Sequence, residues 1–142
     1  MKKDVLITIK GVQTVDGESD VVELTTTGSF YRKNETYYLS YTEAEPSTFE
    51  GQHTTLKMEK SRRVSMIRYG GEDSSLVVEK GVRHQSYYDT GFGTMLIGVS
   101  GQHIENNVTD DGGSIHFQYT LDVNTALASV NDVYVTIRTY ES

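Results

Sequence analysis

Hydrophobic and polar residues alternate through most of the chain. The clearest run is residues 114–123 (SIHFQYTLDV), which places its apolar side chains on one face: Ile115, Phe117, Tyr119, Leu121 and Val123. A period of two is typical of a half-buried β-strand. The same pattern occurs in residues 4–14 and 131–140, and strand-like stretches cover 20–32, 35–43, 53–60, 63–70, 75–79, 82–88 and 94–108. The pattern therefore predicts about ten short strands, and only residues 124–130 could form a helical turn.

Turn-forming residues separate these strands, as in Asp16-Gly17, Lys80-Gly81 and residues 110–113 (DDGG). Such pairs favour tight hairpin connections. Short, regular connections indicate an antiparallel up-and-down meander, and closure into a barrel removes its exposed edges. We therefore predict an all-β fold class, with residues 1–142 forming a single meander β-barrel of roughly 8–10 strands. A two-sheet sandwich is the alternative.

Composition limits the cellular compartment and the classes of binding partner that the chain is expected to have. The chain has no cysteine, which excludes disulfides, thiolate zinc sites and cysteine nucleophiles and suits a reducing cytoplasm. The net charge is −7 and the 13 Lys and Arg residues are scattered, which argues against a nucleic-acid partner. No apolar run approaches the ~20 residues of a membrane helix. The N-terminal MKKDVLITIKG is interrupted by Asp4, so we predict a first strand rather than a targeting signal, and a cytoplasmic protein with no membrane partner.

The string Asp89-Thr90-Gly91 matches the catalytic motif of aspartic proteases. Those enzymes need two such loops sharing a proton, which a chain with one motif could provide only as a homodimer. Tyr87-Tyr88 before the motif and Phe92 after it differ from the protease pattern, and the partner motif downstream is missing. We interpret Asp89, Thr90, Gly91 and Gly93 as a structural turn, because Asp and Thr bond locally and Gly accepts positive φ. The sequence thus predicts no catalytic residue.

Polar side chains inside a closed barrel would be the best candidates for ligand contacts. Hairpins centred on Lys80-Gly81, on Gly91 and on Asp111 set Arg83 opposite Val78, Tyr87 opposite Met95 and His103 opposite Tyr119. The inward face then carries six candidate ligand-binding residues: Tyr69, Arg83, Gln85, Tyr87, His103 and Tyr119. Burial of an arginine is costly unless it is paired or meets a ligand. This register predicts that the lumen binds a small polar or anionic molecule.

Two alternatives stay open. One β-bulge within residues 89–93 would invert the faces and send Arg68, His84, Ser86 and Tyr88 inside instead. Even in the first register, Arg83 could simply be satisfied by an internal carboxylate, Glu23 or Glu43. The alternative function is then a filled barrel that acts through its outer surface, as a structural or protein-interaction module or as a homodimer.

The histidines are candidates for a metal site, and the tyrosines for core packing or a contact surface. The same register places His84 opposite Gly98 and His116 opposite Asn106, so neither meets His103. Without cysteines or close histidine spacing, we predict no metal site, and no motif indicates a cofactor. Tyr37, Leu39 and Tyr41 alternate onto one face, and we predict that this face packs in the core.

Three stretches carry a resemblance to a known family: IRYGG (67–71), YYDTGFG (87–93) and IHFQYTLDVNTALASVNDVYVTI (115–137). They resemble the YwiB-like family of small bacterial proteins, and the likeness runs from about Val5 to Tyr140. The resemblance implies a calycin-like, lipocalin-shaped barrel, a cytoplasmic location and no established biochemical function. Many lipocalins carry Gly-x-Trp on the first strand, whereas Val12-Gln13 follow Gly11 here and the chain has no tryptophan. Lipocalin ligands are therefore not carried over.

Overall fold

The computed structural model describes residues 2–42, 51–70, 74–89, 91 and 93–140, and these residues contain ten β-strands and no helix. The strands are β1 (Lys2–Val15), β2 (Glu18–Lys33), β3 (Thr36–Thr42), β4 (His53–Glu59), β5 (Arg63–Tyr69), β6 (Ser74–Glu79), β7 (Arg83–Asp89), β8 (Thr94–Thr109), β9 (Gly112–Val123) and β10 (Ala126–Thr139). All ten predicted strands are confirmed. The helical turn suggested for 124–130 is wrong, because Asn124 and Thr125 adopt φ values of 50° and 70° and β10 begins directly after them.

The strands form one antiparallel sheet in the order β6-β5-β4-β3-β2-β1-β10-β9-β8-β7. Consecutive strands pair throughout, except β6 with β7, and β1 pairs with β10 to link the two halves. The sheet curls into a nearly closed barrel, so the predicted meander is confirmed over the sandwich. We call the gap between β6 and β7 the seam.

The seam is joined at one end only. Glu79 and Val82 form an isolated bridge across the Lys80-Gly81 turn. The main chain of Gly101 on β8 holds this turn, because Gly81 donates to the Gly101 carbonyl at 3.0 Å and Gly101 donates to the Val82 carbonyl at 3.2 Å. The predicted turn is therefore present, but the predicted pairing of Arg83 with Val78 is wrong, since β7 pairs only with β8 beyond this point.

Inward-facing side chains fill the middle of the barrel with an apolar core. The largest fully buried members are Phe30, Phe117, Ile7, Leu39 and Leu56. The predicted inward face of β3 is confirmed: Leu39 and Tyr41 are buried, and Tyr37 packs against the core with its ring stacked on Phe30. Burial of such side chains is the main favourable term in the stability of the barrel.

Hydrogen bonds to Asp110, in the turn between β8 and β9, close one end of the barrel. The Asp110 carboxylate accepts hydrogen bonds from the Tyr37 hydroxyl at 2.7 Å and from Arg32 at 3.0 Å, and its carbonyl accepts one from Lys3 at 2.6 Å. Nearby, the Asn106 amide donates to the carbonyl of Lys60 in the β4–β5 turn at 2.7 Å. We call this the closed end.

The opposite end, which we call the mouth, contains the β1–β2, β3–β4, β5–β6, β7–β8 and β9–β10 connections. The inner wall near the mouth carries polar side chains beside apolar ones such as Leu121. Among the residues that the structure describes, the buried polar side chains outside the apolar core are Thr54, Ser129 and Asn131. Among the residues described, none lies in a helix long and apolar enough to cross a membrane.

Candidate functional site

The pairing of β7 with β8 is one residue away from the predicted register. Arg83 pairs with Ser100, Gln85 with Gly98 and Tyr87 with Leu96, whereas Val99 was expected opposite Arg83. The reason is loop length: Asp89 pairs with Thr94, which leaves four residues between the strands instead of three. Because successive strand residues point to opposite faces, a one-residue shift in register exchanges the inward and outward side chains of β7.

Arg83, Gln85 and Tyr87 therefore face outwards, and their predicted inward orientation is wrong. The Arg83 guanidinium makes two hydrogen bonds to the Asp122 carboxylate, at 2.7 and 3.0 Å, and one to Gln85 at 2.6 Å. The hydrogen bonds from Arg83 hold the pKa of Asp122 below its usual value, and those to Asp122 raise the pKa of Arg83. Gly98 lies beneath this pair, where any side chain would collide with both groups. Arg83 has a structural role on the outer surface.

His103 and Tyr69 also point away from the lumen, contrary to prediction. A bulge between Gly101 and His103 changes the parity of β8, so that His103 pairs with Gln118 and is exposed. Tyr69 is 43% exposed, and its hydroxyl lies 3.3 Å from that of Thr55 on the outer side of β4. Of the six predicted lumen residues, only Tyr119 lies on the inner wall.

The polar inner wall at the mouth is the candidate site that replaces the predicted one. Its described members lie on four strands: Thr54 on β4, Arg68 on β5, Tyr119 on β9, and Ser129 and Asn131 on β10. Arg68 shares the inward face of β5 with buried Val64 and Met66. The alternative, inverted register predicts Arg68 inside the barrel.

The charge of Arg68 influences the pKa of Tyr119. The two residues lie on β5 and β9, which are not neighbours in the sheet. Burial raises the pKa of the Tyr119 phenol, and the positive charge of Arg68 partly offsets that increase. The two side chains therefore face the lumen from strands that are not neighbours.

Asn131 and Ser129 complete the site on the β10 side. The Asn131 side chain donates a 2.9 Å hydrogen bond to the Ser129 hydroxyl, and both residues are buried. Asn131 pairs with Tyr119 across the strands, so the two side chains lie side by side on the inner wall. The sequence held a signal for Asn131 and Ser129 that was missed: they continue the alternation of Val133, Val135 and Ile137.

The Asp89-Thr90-Gly91 string lies at the rim of the mouth. Asp89 is the last residue of β7, and Gly91 and Gly93 have φ values of 82° and 141°, so their predicted positive φ is confirmed. Thr90 and Phe92 lie outside the described residues. Gly91 and Gly93 therefore lie in the connection between β7 and β8, as the turn interpretation predicts, whereas Asp89 still pairs with Thr94 at the end of the two strands.

On the outside of the barrel, the structure brings His116 next to His103 and Glu105, whereas the predicted register kept His116 apart from His103. His116 pairs with Glu105 rather than Asn106, and its ring centroid lies 5.6 Å from that of His103. His103, Glu105 and His116 offer one ligand atom each within 4.8 Å of one another. The expectation that His116 does not meet His103 is wrong, because the bulge at Gly101/His103 and the two-residue Asp110-Asp111 turn were not foreseen.

Two shallow concavities lie beside this histidine cluster on the outer surface. One, of about 260 Å³, is lined in part by Glu105, His116 and Tyr134. The other, of about 350 Å³, adjoins it across Tyr134 and Thr136 and reaches Lys10 and Glu23. The outer face of β8, β9, β10 and β1 is therefore grooved rather than flat.

Comparison with known proteins gives the family. Residues 7–135 match the model of the Domain of unknown function (DUF1934). The chain belongs to the DUF1934 family. This DUF1934 protein is 26% identical over 138 residues to the "Uncharacterized beta-barrel protein YwiB" of Bacillus subtilis (strain 168), a match that covers 96% of this chain and 95% of the relative.

A solved structure of the same relative shows the same fold. The crystal structure of the ywiB protein from Bacillus subtilis superposes on this DUF1934 chain with a TM-score of 0.76 at 20% identity, covering 99% of this chain and 94% of that one. The predicted YwiB-like resemblance is thus confirmed, and the family is one of β-barrel proteins.

Proposed function

We propose that this DUF1934 barrel binds a small polar or anionic molecule at its mouth, with Arg68 and Tyr119 as the central contacts. The supporting observation is the group of polar side chains on the inner wall at the mouth. Arg68, Tyr119 and the buried Asn131 lie at the mouth, while the middle of the lumen is apolar. The proposed compartment is the cytoplasm, since a chain without cysteine suits a reducing environment.

The chemistry of Arg68 favours a carboxylate or phosphate. A guanidinium has five N–H donors in a planar fork, so it can bind an anion in a bidentate manner while it keeps another partner. Charge-assisted hydrogen bonds are stronger inside a protein than in water because the local dielectric is lower. The Tyr119 hydroxyl, across the lumen, could donate to the same ligand.

Gln52 adds an acceptor near the same wall. It lies two residues before Thr54, and its side-chain Oε1 is buried and accepts no hydrogen bond from any residue that the structure describes. Buried polar atoms in folded proteins nearly always have a partner. A hydroxyl or amine group on the ligand could supply one, which favours a molecule that carries both an anionic group and a donor.

The test is a thermal-shift screen of small carboxylates and phosphates, followed by calorimetric titration of any hit. A ligand at about 100 times its Kd should stabilise the barrel by about 2.7 kcal/mol, which corresponds to a rise in Tm of very roughly 5–10 °C. Arg68→Met should abolish the shift, and Tyr119→Phe should reduce it while leaving the ring in place.

The matched control is Arg83→Met, which removes an arginine from the outer wall of the same barrel. Its ligand-induced shift should equal that of the wild-type protein, because Arg83 contacts Asp122 and not the lumen. The proposal fails if no carboxylate or phosphate raises Tm, or if Arg68→Met responds as strongly as Arg83→Met.

A second candidate function is association through the outer surface, with a second copy of the chain as the simplest partner. Large apolar side chains project outside the mouth: Tyr87 is 71% exposed and Leu127 is 68% exposed. Exposed aromatic and aliphatic groups of this kind favour contact surfaces. Light scattering should then give the mass of a dimer, and Tyr87→Ser with Leu127→Ser should return it to 15.9 kDa. A monomeric wild-type protein would contradict this candidate.

A further inference from the structure

The outer face of β8 and β9 carries the strongest cluster of metal-ligating groups among the described residues. His103 and Glu105 are two positions apart on β8, so they share a face, and His116 lies opposite Glu105 on β9. The bulge at Gly101/His103 creates this arrangement, because it turns His103 from the inner face to the outer one. The cluster is separate from the mouth and does not depend on the proposed function.

The spacing of the ligand atoms suits a single ion. His103 Nε2 lies 3.6 Å from Glu105 Oε2, and all three ligand atoms fall within 4.8 Å of one another. Ligand atoms bound to one tetrahedral Zn²⁺ at about 2.0–2.1 Å lie roughly 3.4 Å apart. His103 and Glu105 are exposed, so small side-chain rotations about the strand can close the remaining distance.

His116 is held in place by its neighbours. Its Nε2 lies 2.9 Å from the Asp132 carboxylate, which also accepts hydrogen bonds from Gln118 at 3.1 and 3.3 Å. Its ring stacks on Tyr134 with centroids 4.2 Å apart and an interplanar angle of 4°. A carboxylate that accepts the N–H of one ring nitrogen leaves the other nitrogen as a metal ligand, an arrangement common to protein zinc sites. With Nε2 bonded to Asp132, Nδ1 is the nitrogen of His116 available as a ligand atom.

The ligand types select the class of ion. Two imidazoles and one carboxylate suit Zn²⁺ and neighbouring first-row transition metals, whereas Ca²⁺ and Mg²⁺ prefer oxygen ligands. The concavity of about 260 Å³ beside Glu105 and His116 leaves room for a water or a small ligand in a fourth position.

We propose that His103, Glu105 and His116 form a binding site for a divalent transition-metal ion of the Zn²⁺ class, with Asp132 as the residue that orients His116. The ion would bridge β8 and β9 on the outside of the barrel.

The test uses the chelator-treated full-length chain titrated with ZnCl₂ in a calorimeter. One Zn²⁺ should bind per chain, and His103→Gln, Glu105→Gln and His116→Gln should each weaken binding at least about tenfold. His53→Gln is the matched control, because His53 lies on β4 beside Tyr69 and outside the cluster, and it should bind as the wild type does. MgCl₂ in place of ZnCl₂ should give no saturable binding.

Asp132→Asn separates an orienting role from a ligand role. It should lower affinity about 10–100-fold while the stoichiometry stays at one, since all three ligands remain. The visible spectrum of bound Co²⁺ provides a second readout, and it should show low-coordinate geometry in the wild type and lose it in His116→Gln. The proposal is overturned if His116→Gln binds Zn²⁺ as tightly as the wild type does. It is also overturned if His116→Gln and His53→Gln lose the same affinity for Zn²⁺.

Discussion

At the scale of single residues, the two arginines near the mouth show how one shift in register changes a role. Arg83 was expected inside and lies outside, where Asp122 and Gln85 satisfy it. Arg68 lies on the inward face of β5, on the wall opposite Tyr119. The residue type is the same, but one side chain is paired on the outer wall and the other lies on the inner wall.

Two glycines on different strands of the barrel differ sharply in what surrounds them. A Cβ on Gly101 would collide with the main-chain carbonyl of Glu79, which cannot move without opening the seam. A Cβ on Gly11, in the middle of β1, would meet nothing within 4 Å. The absence of a side chain at Gly101 is therefore required by close approach of the backbone.

We expect Gly101→Ala to lower the free energy of unfolding by about 2 kcal/mol or more, as overpacking against rigid backbone does. Gly11→Ala should be neutral or slightly stabilising, because alanine loses less conformational entropy than glycine on folding. Urea unfolding of both variants measures the difference. Equal stabilities would show that the Gly101 contact does not hold the seam.

At the scale of elements, alternation of apolar and polar residues was enough to predict every strand. The period of two reflects burial of one face, and burial is encoded in side chains, as in Ile115 and Phe117 on β9. For the same reason the inward side of β3 and the position of Tyr119 were predicted correctly. These features depend only on residues within one strand.

The meander order of the strands was predicted, but the register between them was not, because register depends on backbone details that leave little trace in side chains. The connection after Asp89 is one residue longer than assumed, and the bulge at Gly101/His103 adds a residue to β8. Either event reverses all side chains beyond it until the next irregularity. The predicted site failed for this reason, and the histidine cluster was missed for the same one.

The bulge in β8 also places side chains on the outer face that would otherwise point inwards. The bulge keeps Ile104 in the core while it sends His103 outwards, so the odd-numbered residues of β8 face the lumen before the bulge and the outer surface after it. β-bulges often re-aim side chains near functional sites. The proposed metal site therefore depends on the feature that most limits prediction from sequence.

At the scale of the whole molecule, the barrel has two unlike ends joined by one apolar core. The closed end is held by Asp110 and its bonds to Tyr37 and Arg32, and the mouth carries Arg68 and Tyr119. Each end contains one inward phenol with a raised pKa. Burial is the main cause at both, and at Tyr37 the hydrogen bond to Asp110 adds to it.

These two phenols predict how stability depends on alkaline pH. Above pH 10 the unfolded chain loses its tyrosine protons, while Tyr37 and Tyr119 keep theirs in the folded barrel because their pKa values are raised above 10.0. The unfolded state then binds fewer protons than the native state, so stability falls as pH rises. The contribution of each phenol is fully present below pH 10 and is lost as pH rises through its folded pKa.

We therefore expect Tm to fall between pH 9 and pH 11, and to fall less steeply in Tyr37→Phe and in Tyr119→Phe, since each variant lacks one of the linked protons. Tyr87→Phe is the control, because the Tyr87 side chain is 71% exposed on the outer wall, and its slope should match that of the wild type. Calorimetric scans at several pH values give the slopes. If all four proteins lose stability equally, these two phenols are not held by the barrel as the structure shows. If the slope of Tm against pH differs only in Tyr37→Phe, the closed end is intact and the packing around Tyr119 at the mouth is looser than in the structure.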